Sequence, residues 1–326
     1  MSAARANWLR IIASAALLAL LVVFARHVDW RAAYEAARGA DARLVVFALL
    51  CNQLSLVIKG VRWWVFLRPL GVRSLALVLR ATYAGASLNN LVVAQGGEAA
   101  RVLLVARASG VAATQVASAL ALERVLDAVS YLSLLGGAAL LLDLPPLLMR
   151  WRTLSLVALV LAACALVALG TLSGDRVESS TSLRAIGRVR ASILRFAWLL
   201  AEIGSPLRLG GAMVLSLAAW SLQVATYHSI ALAAHLPVPM AGSVAAMLTI
   251  GISFLVRATP GNVGVFQVLY VMTMGRFGIA QAPALAAALL IQVVQVVPTV
   301  VLGTVAAYGL VGRRTTLDES RRSLSR

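Results

Sequence analysis

The sequence predicts an all-α, polytopic membrane helix bundle of about six full spans plus two helical hairpins. Three observations predict it: 61% of the 326 residues are hydrophobic and only 13% charged, mean hydropathy is +0.90, and apolar runs of bilayer-crossing length recur along the chain. A soluble domain of this length needs far more polar surface.

The net charge of +17 is almost all arginine, because Lys59 is the sole lysine. The arginines fall between apolar runs, as the positive-inside rule places them, so no nucleic-acid partner is read from the charge. Cys51 and Cys164 lie in separate apolar runs, and His27, His228 and His235 have no metal-like spacing. The sequence therefore predicts no disulfide, metal or cofactor. His228 reads as a helix residue facing a polar cavity.

The elements follow in order. Ile11 to Phe24, after Arg5 and Arg10, resembles a signal peptide but is expected to stay as the first span. His27 to Arg43 is a short amphipathic connector. Leu44 to Leu67 is the second span, and Lys59, Arg62, Trp63, Trp64 and Arg68 at its end read as an interfacial anchor. Leu75 to Val93 and a second piece to about Ala106 read as a helical hairpin or re-entrant pair, broken at Asn89-Asn90 and Gln95-Gly96-Gly97-Glu98. Ala112 to Leu142 and Thr153 to Leu172 are spans.

The basic loop 174–208 is expected to include an amphipathic helix on anionic headgroups. Gly210 to Leu236, Ala241 to Val256, a loop Arg257 to Gly264, a short helix to Met274, and Ala282 to Val311 complete the chain. The amino terminus, the basic loop and the carboxyl tail are all arginine-rich. All three are assigned to the cytoplasm of a bacterial inner membrane, and the charge pattern closes only with both broken segments as hairpins.

A shift of 168 residues aligns punctuating residues: Pro69 with Pro237, Gly96 with Gly264, Gly110-Val111-Ala112 with Gly278-Ile279-Ala280, Asp127 with Gln295, and Arg124 with Gln292. Pseudo-repeats over about 44–142 and 212–311 entering the membrane in opposite senses are a recurrent transporter architecture.

Three clusters carry a chemical signal. In Gln95-Gly96-Gly97-Glu98-Ala-Ala-Arg101 the glycines permit a sharp turn, and free N–H groups at the following helix start suit an anion. The alternative is a loop with an ordinary ion pair. In Glu123-Arg124-x-x-Asp127 the charges sit on the order of 17 Å into a span, too deep for easy snorkelling. Arg124 and Asp127 are spaced for mutual pairing; a buried pair that only fixes packing is the alternative. In Thr259-Pro260-Gly261-Asn262-Val-Gly264, proline and glycine allow irregular backbone, tolerated at membrane depth where it lines a cavity. A plain surface turn is the alternative there. Gln292 and Gln295 share a helix face and serve either a headgroup or interhelical hydrogen bonds.

At these residues the chain resembles the flippase-like membrane region of lysylphosphatidylglycerol synthases, including stand-alone members. Gly97-Glu98-Ala-Ala-Arg101 is similar to that family's G-E-x-x-R element, Ser118 with Glu123-Arg124-Val-Leu-Asp127 to its S-x4-E-R-x-x-D helix, and Thr259-Pro260-Gly261-Asn262-Val-Gly264 to its T-P-G-G-x-G element. The likeness spans roughly residues 10 to 311. Asn262 departs from the usual second glycine, and Gln267 stands where an acidic residue is common.

The resemblance implies lipid translocation, typically of an aminoacylated phospholipid, with hopanoid or polyprenyl lipids handled by some relatives. The chain ends soon after its last span, so the aminoacyltransferase domain of the full synthases is not expected, and no catalytic residue is assigned. The expected partners are membrane lipids and a lipid-synthesis enzyme. A non-transporting subunit and a membrane enzyme using Glu98 or Asp127 as base are the competing readings.

Overall fold

The computed structural model describes residues 30–91, 96–141, 206–253 and 262–324, and these form helices joined by short turns, without strands. We label the helices α1 (Trp30–Arg38), α2 (Ala42–Leu67), α3 (Leu75–Leu91), α4 (Gly96–Ser109), α5 (Ala113–Leu141), α6 (Pro206–Ala233), α7 (Met240–Ser253), α8 (Val265–Gly275) and α9 (Gln281–Leu324). The expected first span, the span Thr153 to Leu172, most of the basic loop 174–208, and Cys164 lie outside the described residues.

Three described helices are long and apolar enough to cross a bilayer: Ala42–Leu67, Leu207–Ala233 and Gln281–Tyr308. With 29 residues, α5 has the length as well, and differs in carrying three charges. The shorter α7 and α8 are apolar but span too little rise to cross alone. The chain is a helical membrane protein.

The order long, short, short, long occurs twice, as α2–α5 and α6–α9. Helix starts Ala113 and Gln281 are again 168 residues apart. Gly110 (φ 75°) and Gly278 (φ 77°), the pair aligned in sequence, are both left-handed in the turns between α4 and α5 and between α8 and α9. A side chain at either position would strain that backbone, so the matching punctuation has a conformational cause.

Two compact units divide the described residues. One holds 30–51, 89–91, 224–253 and 262–298. In it α7 packs on α8, with the core drawn from Tyr227, Ile230, Leu248, Phe266, Tyr270 and Ile291. His235, at φ 53°, ends α6 in a left-handed turn in which Leu236 N–H reaches the Ala231 carbonyl at 2.9 Å. The Ala233 carbonyl accepts from Asp41 N–H, which ties the α1–α2 turn to that helix end.

The other unit holds 52–88, 96–141, 206–223 and 299–324. Its core joins Trp63, Phe66 and Leu67 of α2 to Val102 and Val105 of α4, Leu122 and Leu126 of α5, and Ala212 of α6. Trp63 and Arg62 are fully buried. For these two residues the interfacial-anchor reading is therefore wrong: they face α4 and α5 rather than headgroups. Trp64 and Arg68, stacked at 5.4 Å, remain near the surface.

Close helix approach depends on missing side chains. A Cβ on Gly85 of α3 would stand 2.6 Å from the Gly97 carbonyl of α4, and one on Gly303 of α9 would stand 2.4 Å from the Tyr83 carbonyl of α3. Both obstacles are backbone, so they cannot swing aside. Gly85→Ala is expected to lower stability by about 1–3 kcal/mol, as overpacking does. Gly137→Ala on α5, where a Cβ would meet nothing within 4 Å, is expected to be neutral or slightly stabilising through helix propensity. Thermal unfolding of the two variants in detergent checks the contrast.

Candidate functional site

The site is an ion network built by four helices of one unit. On α2, Arg62 is fully buried, and its guanidinium donates to Asp127 Oδ1 (2.7 Å), to Glu123 Oε1 (3.1 Å) and to the Ser216 hydroxyl of α6. Ser216 itself donates to the Ala212 carbonyl, so it has a lone pair to offer. On α4, Arg101 donates to the other Glu123 oxygen at 2.6 Å and lies 4.0 Å over the Trp63 ring. Glu123 thus bridges two guanidiniums and is only 2% exposed.

The network grades outward from that carboxylate. Asp127, the central residue of the 29-residue α5, is 15% exposed and also receives Arg124 at 3.5 Å. Arg124, 49% exposed, pairs with Glu98 on the first turn of α4. Glu98 and Arg101, three apart on one helix face, each bind α5 rather than one another. Lys59, one turn before Arg62, lies 5.4 Å over the Trp220 ring and within Coulombic range of Asp127.

The other unit holds an uncharged polar cluster. Gln267 on α8 accepts from Gly264 N–H (2.6 Å) and donates to Gln292 on α9. Tyr227 hydrogen-bonds Gln295, and packs by its ring on Phe266 and Tyr270. Ser243 Oγ and His228 Nδ1 are hydrogen-bonded at 3.0 Å. So His228 meets a hydroxyl on the next helix, and among the described residues no His, Cys, Asp and Glu are grouped to hold a metal.

Residues 8–303 match the family described as the lysylphosphatidylglycerol synthase TM region. The chain belongs to that family. No match to a curated protein was found. Membership makes it a membrane protein related to lipid modification or translocation.

Within this family member, the first two sequence motifs are brought together: Glu98, Arg101, Glu123, Arg124 and Asp127 form one network, with Gly96 and Gly97 opening the helix that carries the first pair. Gln95, Thr259, Pro260 and Gly261 lie outside the described residues. Gly264, at φ 87°, begins α8 in a conformation suited to glycine. Asn262 is buried at φ 58°, a left-handed position that Asn tolerates better than most residues, which accounts for its standing in place of a glycine. Gln292 and Gln295 make interhelical hydrogen bonds.

Sequence reasoning missed Arg62, Lys59 and Ser216 as members of the site. Their signal was present in part. Arg62 lies six residues short of Arg68, far enough inside the span to need a partner, but the adjacent tryptophans suggested headgroups instead.

Removing one partner of a buried pair leaves an uncompensated charge, which costs about 3–5 kcal/mol, whereas a half-exposed pair contributes about 0–1 kcal/mol. Glu123→Gln is therefore expected to destabilise strongly and Arg124→Ala weakly. Denaturant titration of both variants in one detergent measures the ratio. Equal losses would contradict the graded burial.

Proposed function

We propose that this protein is a lipid translocator of the bacterial inner membrane, with its termini in the cytoplasm and no catalytic chemistry of its own. The observation that carries the reading is the ion network on α2, α4, α5 and α6. Seven ionisable side chains meet there beside an apolar core. Ionisable residues within membrane helices are expensive and commonly mark substrate paths. Family membership supports a lipid as the substrate.

The recurring four-helix order gives the reading a mechanism. If α2–α5 and α6–α9 enter the membrane in opposite senses, exchanging their conformations exchanges inward and outward access. The lipid tails remain in the bilayer while the headgroup passes the polar residues.

The serine–histidine contact at Ser243 supports a membrane enzyme only if the hydroxyl is nucleophilic. Labelling by a fluorophosphonate that is lost in Ser243→Ala would favour that alternative.

Transport is tested with fluorescent phospholipids in proteoliposomes, comparing wild type with Glu98→Gln and Arg124→Ala. These two residues form the outermost pair, so the variants are expected to fold. We expect the wild type to flip lipid and each variant to slow flipping at least about tenfold, equal to ~1.4 kcal/mol of barrier. Wild-type protein that leaves the flip rate of every phospholipid, hopanoid and polyprenyl probe unchanged would sink the reading.

A further inference from the structure

The carboxyl end of α2 and the amino end of α6 border a cavity of about 530 Å³, lined by Trp64, Val65, Arg68, Pro69 and Arg208. All five residues belong to one compact unit. The membrane-crossing stretches of these helices end at Leu67 and begin at Leu207, so the cavity lies level with one face of the bilayer, where hydrocarbon gives way to headgroups. It is separate from the ion network, since none of its lining residues joins that network's ion pairs.

The lining is amphipathic. Arg68 and Arg208 are exposed and come from different segments, and no carboxylate stands among the lining residues. The cavity is therefore complementary to an anion. Trp64, Val65 and Pro69 make the rest of it apolar, and its volume falls within the range of about 300–1,000 Å³ usual for small-molecule sites. Two contacts hold this wall in place before anything binds. The Trp64 indole N–H donates to the Arg73 carbonyl at 3.2 Å, and the Arg68 guanidinium lies 5.4 Å over the Trp64 ring. A tethered ring with a cation stacked on it loses little freedom on binding.

The neighbour of Arg208 selects among anions. Leu207 is 88% exposed, which is unfavourable in water and costs nothing against acyl chains. A soluble anion or an acidic peptide would match the arginines but leave that side chain unused.

We propose that this cavity holds one anionic phospholipid as a resident ligand, its phosphate taken by Arg68 and Arg208 and its acyl chains lying along Trp64, Val65 and Leu207. The lipid is a bound component of the bundle and not the one transported, so the proposal stands apart from the translocation reading. It joins the end of α2 to the start of α6, two helices whose Arg62 and Ser216 are hydrogen-bonded further along. Occupancy stabilises the folded chain by mass action.

The test uses the full chain, stripped of lipid in a neutral detergent, with binding read by calorimetry and stability by melting temperature. The probes are dioleoyl phosphatidylglycerol, dioleoyl phosphatidylcholine, glycerol 3-phosphate and tetraglutamate. Phosphatidylglycerol is expected to bind at least about tenfold more tightly than each of the others and to raise the melting temperature. Arg68→Gln and Arg208→Gln are each expected to weaken its binding about fivefold, and the double variant about 25-fold, with Arg68→Lys close to wild type. Both positions are exposed, so the lipid-free melting temperatures are expected to match wild type.

Unchanged phosphatidylglycerol binding in the double variant overturns the proposal, because the lipid would then sit elsewhere in the bundle. Phosphatidylcholine binding as tightly as phosphatidylglycerol also overturns it, since charge would not matter. So does glycerol 3-phosphate or tetraglutamate binding as tightly, which would make the ligand a soluble anion or an acidic segment of a partner protein.

Discussion

One carboxylate, Glu123, fixes the geometry of the unit around it. Each of its oxygens is held by a different guanidinium, from Arg62 on α2 and from Arg101 on α4, and the group is almost wholly buried. A charge in that position is tolerable only while both partners stay, because desolvation costs several kcal/mol per ion and is recovered only with good geometry. The rotational settings of α2, α4 and α5 are thereby coupled. Turning any of these helices by one residue would carry its charge roughly 100° away from the others.

Several less conspicuous residues are consequences of that constraint. Arg101 reaches Glu123 from a helix that approaches α3 closely, and Gly85 is what permits the approach. Trp63 presents its ring beneath the Arg101 guanidinium, which serves as apolar packing and as cation–π partner at once. Ser216 accepts one Arg62 hydrogen bond while donating its own to the backbone of α6. The core of this unit is therefore organised by ion geometry first, with the aliphatic residues filling what remains.

The bundle was legible in the sequence because hydropathy and glycine punctuation are local signals. The expected spans over Leu44–Leu67, Ala112–Leu142 and Gly210–Leu236 correspond within a few residues to α2, α5 and α6. The deep charges of α5 were legible too, since depth follows from counting along a helix. What could not be read was pairing. Arg62 and Glu123 are 61 residues apart, and periodicity says nothing about which helices face each other. Trp63 and Trp64 misled because interfacial and buried tryptophans look alike in one dimension; here Trp63 is buried and Trp64 half-buried.

The network's gradient of exposure bears on how a packed ion cluster can also be a path. If every pair were as buried as Arg62–Glu123, opening any of them would cost a large part of a protein's whole stability, commonly about 5–15 kcal/mol. The Glu98–Arg124 pair is different: its arginine is half exposed, and exchanging partners there costs about 0–1 kcal/mol. Under the translocation reading, the inner pairs hold the helices in register while the outer pair trades one oxygen ligand for another. Arg124 is suited to that exchange because it already divides its donors between Glu98 and Asp127, so releasing Glu98 leaves it a counter-charge on its own helix.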